Sequence, residues 1–327
     1  MNSKKPTIYD VASLANVSLA TASRVINGVD KVSLKTKQRV LNAIKELNYV
    51  PNSTAVELAS KKNTNVAIIV PEINYTHISN VLSGLMESSR NLGYTCLIFT
   101  TKSIKKDIKE TFDKVLSLRV NGAIIFNDVL DEEELEELIN FNIPVVTLGM
   151  DLKTVSSVSW HYKNQIIDIV NNALSRNKEV YFLSVEGAGK LEERLLRGVK
   201  EAYLSANKEF NNIIEVKDSY KETYQKISSV IKDVPSCLFL STRDSIALAA
   251  LNAALDLSLN VPTDYEFMAL IGTKYSELTR PKLSSFNVNM QELGRVGMEV
   301  LAQQIDDPSK IITKKLSIEF IKRGSSL

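Results

Sequence analysis

From about residue 65 onward the chain keeps one rhythm: short continuous apolar runs separated by amphipathic helical stretches. Val66–Val70, Thr95–Thr100, Ala123–Phe126 and Val145–Leu148 read as strands, with His77–Leu92, Lys105–Leu118 and Asp131–Phe141 as helices around them. A second series places strands at Val158–Trp160, Val180–Val185, Cys237–Ser241 and Glu266–Ile271. Its helices begin at Tyr162, cover Leu191–Ala206, lie near Tyr220–Lys232 and cover Asp244–Leu257. A strand without polar alternation must be buried on both faces, and helical crossovers make neighbouring strands parallel. Two such series predict two Rossmann-like lobes with a ligand cleft between them.

The first sixty residues follow a different rule. Thr7-Ile8-Tyr9-Asp10 has the form of a capping box, in which the Thr hydroxyl caps the helix start and the carboxylate reaches back. Ile8, Val11, Ala12, Leu14 and Ala15 then supply one apolar helix face. Asn16-Val17 breaks that helix, and Ser18 can cap a second one running to Asn27. Small residues at Ala12, Ala15, Ala20 and Ala22 permit close helix approach. After a loop through Gly28 and Asp30, Ser33 caps a third helix whose expected buried stripe is Val40, Leu41, Ile44 and Leu47, ended by Asn48 and Pro51. Two short helices joined by a tight turn, with a third in support, make a helix-turn-helix.

Charge separates the same two regions. Residues 1–62 carry ten basic and four acidic side chains, a net of +6, whereas the rest of the chain is −4. A basic module on an acidic body points to a polyanion partner for the module alone. In a helix-turn-helix the second helix enters the major groove. Its outward residues here are Ser18, Leu19, Ala20, Thr21, Ser23, Arg24 and Asn27. Hydroxyls and amides at a helix N-terminus can hold phosphates. Leu19 and Ala20 can touch thymine methyls, and Arg24 can read guanine through O6 and N7.

Other chemistries find little support. Cys96 and Cys237 sit in apolar strand-like runs, as expected of reduced thiols in the cytoplasm, and no apolar h-region follows Met1. His77 and His161 have no Cys or His at ligand spacing, so no metal, cofactor or catalytic residue is expected. Gly187-Ala188-Gly189-Lys190 resembles the end of a phosphate loop, but Ser184 and Leu191 stand where a Walker A motif needs Gly and Ser or Thr. The acidic run from Asp131 to Glu134 reads as a solvated helix start. No apolar run is long enough to span a bilayer.

The stretches Thr7–Ala12, Ala15–Ser18, Ala20–Asn27 and Leu47–Asn52 closely resemble the headpiece of the LacI/GalR family of bacterial repressors. That resemblance implies an α + α/β chain: a helix-turn-helix headpiece with a hinge helix, then a two-lobed periplasmic-binding-protein-like core of Rossmann-like parallel sheets. The implied divisions are 1–50 for the headpiece and 51–62 for the hinge. The core N-lobe takes 63–159 plus 289–315, and the C-lobe 160–288 plus 316–327. The implied function is a homodimeric, sequence-specific regulator of a near-palindromic DNA operator, with repression of carbon-metabolism genes as the leading reading. The alternative is a metabolite sensor or solute-binding protein without DNA binding. DNA contacts would add Thr7 and Tyr9 from the headpiece and Asn52, Ala55 and Leu58 from the hinge. Leu58 matches the leucine wedged between central base pairs, while Val56 and Glu57 stand where catabolite-control members carry Arg and Gly.

The implied effector cleft would draw on Tyr75, His77, His161, Arg194, Asp244 and Lys274. It departs from the family pattern. Lys274 takes the Asp slot of a Gly-Phe-Asp stretch, and Leu195 takes an Arg slot with Arg194 one residue earlier. His161 takes another Asp slot, and only Asp244 matches a family acid among these positions. A neutral sugar is therefore a poor fit: either Lys274 with His161 favours an anion, or the cleft holds nothing. Corepression by a phosphorylated carrier protein is disfavoured as well, because Glu299 and Gln303 stand where the phosphoserine needs basic residues. Arg295 is the nearest substitute, at a different helical phase.

Overall fold

The computed structural model describes residues 6–28, 32–50, 63–101, 105–126, 133, 137 and 143–327. The chain divides into two compact units, Met1–Thr64 and Asn65–Leu327.

The first unit holds α1 (Ile8–Leu14), α2 (Leu19–Ile26) and α3 (Leu34–Glu46). Its core is Val11, Ala15, Val25, Val40 and Ala43, with Ile44, Leu47 and Tyr49 packed around it. Two expected core positions fall outside. Leu14 is 46% exposed and Leu41 44% exposed. In both cases a neighbour one or two places along, Ala15 or Ala43, takes the inward phase. Small side chains let three short helices approach closely, and a leucine at those phases would not fit between them. Ala12 and Ala22 are also buried, whereas Ala20 is exposed.

The second unit begins with β1 (Asn65–Val70), α4 (Thr76–Leu92), β2 (Thr95–Thr100), α5 (Lys105–Ser117), β3 (Gly122–Ile125), β4 (Val145–Leu148) and β5 (Ser156–Trp160). It continues with α6 (Lys163–Ser175), β6 (Glu179–Val185), α7 (Lys190–Ser205), β7 (Ile213–Val216) and α8 (Tyr220–Val230). Then come β8 (Cys237–Arg243), α9 (Asp244–Asp256), β9 (Tyr265–Ile271), α10 (Lys274–Leu278), β10 (Ser284–Asn287), α11 (Met290–Asp306), β11 (Thr313–Leu316) and β12 (Glu319–Ile321). The expected helix over Asp131–Phe141 lies almost wholly outside the described residues.

Two six-stranded sheets result, ordered β11-β5-β4-β3-β1-β2 and β12-β10-β9-β8-β6-β7. Among the described residues all pairings are parallel except β10 with β12, where Phe286 faces Phe320. Central strands such as β1 and β9 are buried along nearly their whole length, while the edge strand β2 alternates toward solvent. Covered faces demand continuous apolar runs and edges do not.

One apolar cluster runs through both sheets, from Ile68, Leu85 and Val146 by way of Trp160 to Phe182, Val199, Leu240 and Phe286. The chain leaves the first sheet after β5, returns to pack α11 on α4, adds β11 to the first sheet and finishes with β12 on the second. The α4–α11 approach depends on glycine. A Cβ at Gly84 would lie 1.9 Å from the Gln291 carbonyl oxygen, and one at Gly294 would lie 2.1 Å from that of Val81.

Candidate functional site

In the headpiece, local chemistry builds the recognition surface. The Asp10 carboxylate accepts both the Thr7 N–H and the Thr7 hydroxyl at 2.7 Å. The carboxylate thus reaches back as expected. Asn16 adopts φ 48°, the left-handed conformation the turn requires. Arg39 donates to the Asn16 carbonyl at 2.7 Å and ties α3 to that turn, a positioning role with no pattern in the sequence to announce it.

Ser18 accepts the Thr21 N–H at 3.2 Å, and the two hydroxyls share a bond of 2.8 Å. Asn27 donates to Ser23 at 3.3 Å. Outward from α2 stand Leu19 at 39% exposure, Ala20, Arg24 and Asn27, with Thr21 and Ser23 half-buried. Tyr9 is 68% exposed on α1. The surface therefore offers a cation, an amide, hydroxyls and short apolar groups on an eight-residue helix whose first turn is capped. Asn52, Ala55 and Leu58 lie outside the described residues.

The second unit contains an inter-lobe cavity of about 280 Å³. Its walls come from the carboxyl ends of parallel strands. Tyr75 and His77 follow β1, Phe126 follows β3, Gly149 follows β4, Trp160 ends β5, Glu186 follows β6, Asp218 follows β7, Arg243 ends β8 and Ile271 ends β9. This is where parallel α/β sheets place ligands.

Polar groups in the cavity are spent largely on one another. Arg243 donates from Nη1 to both oxygens of Asp218, at 2.6 and 2.7 Å. The Tyr75 hydroxyl donates to Asp218 Oδ2 at 2.6 Å, and the Arg243 guanidinium lies 5.1 Å from the Tyr75 ring centre. Burial pushes the Asp218 carboxyl up, but the Arg243 and Tyr75 bonds outweigh it and hold the group below its ordinary value. Burial, with Asp218 adding to it, pushes the Tyr75 phenol up. His77 stacks on Tyr75 with ring centres 5.5 Å apart and meets Phe126 at 6.1 Å. Burial first, and the Arg243 charge second, push His77 down to about 4, so it is neutral at pH 7.

Glu192, in the first turn of α7, is buried against the same cavity. It accepts from the Ser184 hydroxyl at 2.8 Å, the Val185 N–H at 2.9 Å and the Thr242 hydroxyl at 3.0 Å, tying β6 and β8 to the helix. Burial pushes its carboxyl up against those three bonds. The stretch Gly187–Gly189 is a turn into α7, with Gly187 at φ +73°.

The structure does not gather the six cleft residues read from the sequence. Tyr75 and His77 line the cavity. His161 and Arg194 line an adjoining depression that shares Gly149 and Trp160 with the cavity, and Lys274 lines another with Asn289 and Arg323. Asp244 is turned inward and 3% exposed. Its Oδ2 accepts from the N–H and hydroxyl of Thr273 at 2.6 and 2.8 Å, and from those of Ser276 at 3.2 and 3.0 Å. Through Oδ2 the carboxylate fastens α10 to α9. Asp218 and Arg243 were not singled out in the sequence, although the strand-end rule would have found Arg243 at the close of β8.

On α11, Arg295 is paired with Glu292 at 2.5 Å and with Glu299. The cation nearest the expected phosphoserine surface is thus held by its own helix. Among the described residues no group of three or more His, Cys, Asp or Glu could hold a metal, and no helix is long and apolar enough to cross a membrane.

A basic helix-turn-helix unit followed by a two-lobed parallel-sheet core with an inter-lobe cavity defines a DNA-binding transcriptional regulator. The family described as bacterial regulatory proteins, lacI family, matches residues 7–52, and a periplasmic binding protein-like domain matches residues 178–326. Catabolite control protein A of Staphylococcus xylosus is 32% identical over 321 residues, covering 95% of this chain and 97% of that protein. The protein of the same name from Staphylococcus epidermidis is 31% identical over 324 residues, covering 95% and 97%. Among solved structures, the lac repressor dimer bound to operator and the anti-inducer ONPF superposes with a TM-score of 0.88 at 24% identity, over 98% of this chain and 99% of that one. The transcription regulator CcpA of Lactococcus lactis gives 0.72 at 22% identity, over 81% and 100%. The chain belongs to the lacI family of bacterial regulatory proteins.

Proposed function

We propose that the protein is a dimeric repressor of carbon-metabolism genes that acts in the cytoplasm on a near-palindromic operator. The observation that carries this reading is the outward face of α2, where Ser18, Leu19, Ala20, Arg24 and Asn27 stand exposed on a capped helix. Each protomer presents α2 to the major groove of one half-site, with Arg24 bidentate to a guanine and the N-terminal hydroxyls on phosphate. Asn52, Ala55 and Leu58 of the paired hinges bend the centre, and Val56 with Glu57 makes that hinge less attractive to phosphate than an Arg-Gly pair. Headpiece 1–50, hinge 51–62 and the two discontinuous lobes described above are the working divisions. Two copies are required because one headpiece buries too little surface for regulatory affinity.

The cleft is not a neutral-sugar site. Asp218 and Arg243, which a polyol would need as partners, hold each other. The test is footprinting on genomic DNA combined with the salt dependence of binding to random duplex. Two-fold symmetric protection and a log–log salt slope of several units are expected. Affinity independent of salt, with no preference for any genomic duplex over scrambled competitor, would overturn the assignment.

A further inference from the structure

Tyr75 and Asp218 are 143 residues apart in sequence and belong to different lobes, yet a 2.6 Å hydrogen bond joins them across the cleft. Tyr75 stands at the start of α4 in the lobe built on β1. Asp218 follows β7, and Arg243 closes β8, both in the other lobe. The three groups form a closed set. Arg243 aims its guanidinium at both carboxylate oxygens and over the tyrosine ring, while the phenol takes one of the same oxygens. Arg243 is 18% exposed and Asp218 34% exposed, so the pair is partly withdrawn from water, and a charged donor and acceptor make its bonds stronger than neutral ones. Behind Tyr75, His77 and Phe126 continue the ring contacts and fix its direction.

We infer that Tyr75, Asp218 and Arg243 form a latch that holds the two lobes together over the cleft with the protein's own side chains. Two-lobed proteins of this architecture close when something bridges both lobes; here the bridge is covalently part of the chain. The closed form is then the resting form. A small molecule entering the cleft has to displace Asp218 from Arg243 or Tyr75 from Asp218, and its apparent affinity is lowered by the closed-to-open ratio. The latch goes beyond the repressor assignment and does not depend on DNA binding, so its test is run without DNA.

Spin labels are placed on the full-length protein at exposed Lys114 of α5 and Lys221 of α8, each changed to Cys in a Cys96→Ser background. The distance distribution is measured with no ligand added, on dimers in which labelled protomers are diluted with an excess of unlabelled ones, so that only pairs within one protomer contribute. A single population is expected for the otherwise wild-type chain. Tyr75→Phe, which keeps the ring and removes only the hydroxyl, is expected to lower the closed-to-open ratio about tenfold, the usual effect of losing a hydrogen bond to a charged group. Asp218→Asn should act in the same direction, and the double variant should add little to it because both changes break one network. Glu186→Gln is the control: it removes a cleft-rim ion pair with Lys217 that stays within one lobe. It should leave the distances unchanged. Unmoved distances in both Tyr75→Phe and Asp218→Asn, a wild-type distribution already dominated by the longer distance those variants show, or equal opening by Glu186→Gln would each overturn the latch. Thermal unfolding of every variant separates opening from loss of fold.

Discussion

The recognition helix and the inter-lobe cleft handle polar groups in opposite ways. On α2, Arg24 and Asn27 face solvent, and the local bonds among Ser18, Thr21, Ser23 and Asn27 cap the helix and orient side chains along it. In the cleft, Tyr75, Asp218 and Arg243 satisfy one another, and Glu192 holds three donors. An exposed donor keeps water as its partner and can exchange it for a base edge at small cost. A half-buried group that already has a partner must give up an existing bond to take a new one. The headpiece thus leaves polar groups open to a partner outside the chain, while those of the cleft are already paired with one another.

The largest expected effect tests the buried side of this contrast. His77 is held near 4 in the folded protein against about 6.5 in the unfolded chain. As pH falls from about 6.5 toward 4, the unfolded chain takes up a proton that the folded core refuses, so stability drops, by up to about 3 kcal/mol. Urea unfolding of the wild type and of His77→Gln across that range should show a steeper acid limb in the wild type. Parallel limbs would mean that the histidine is not sequestered in solution.

Next in size is the exposed side. Arg24→Ala should cost about 2 kcal/mol of discrimination between operator and scrambled duplex while leaving the thermal transition of the core in place. Competition binding checks it, and unchanged selectivity would remove Arg24 from base reading. Ser18→Ala should cost about 1 kcal/mol of headpiece stability through the lost N-cap, seen by the helical circular dichroism of the headpiece transition. The smallest effect sharpens the local packing. Leu41→Gln should change stability by less than about 0.5 kcal/mol because the side chain is exposed, and a drop above about 2 kcal/mol would restore it to the core.

Most elements were legible because their signals are local. Ser18 and Ser33 mark the starts of α2 and α3, Asn16 marks a turn, and continuous apolar runs mark the central strands. The short edge strands were not legible. Thr313–Leu316 reads Thr-Lys-Lys-Leu and becomes β11 because Ser157–Trp160 offers a free sheet edge for it to pair with. The candidate site divides in the same way. The α2 face follows from helical phase, but of the six expected cleft residues only Tyr75 and His77 line the main cavity, with His161 and Arg194 in the adjoining depression. Asp244 in particular, adjacent to Arg243, points into the fold and fastens α10.

By itself the sequence determined a capped three-helix basic headpiece and a core of two parallel-sheet lobes, since caps, helical phase and strand burial act over a few residues and carry their own chemistry. Only the tertiary structure decided which side chains meet across the cleft. Residues 75, 218 and 243 become neighbours through the crossing of two lobes, and a carboxylate left without its cation at such a meeting point would be costly, so the fold closes the set with Tyr75 and Arg243.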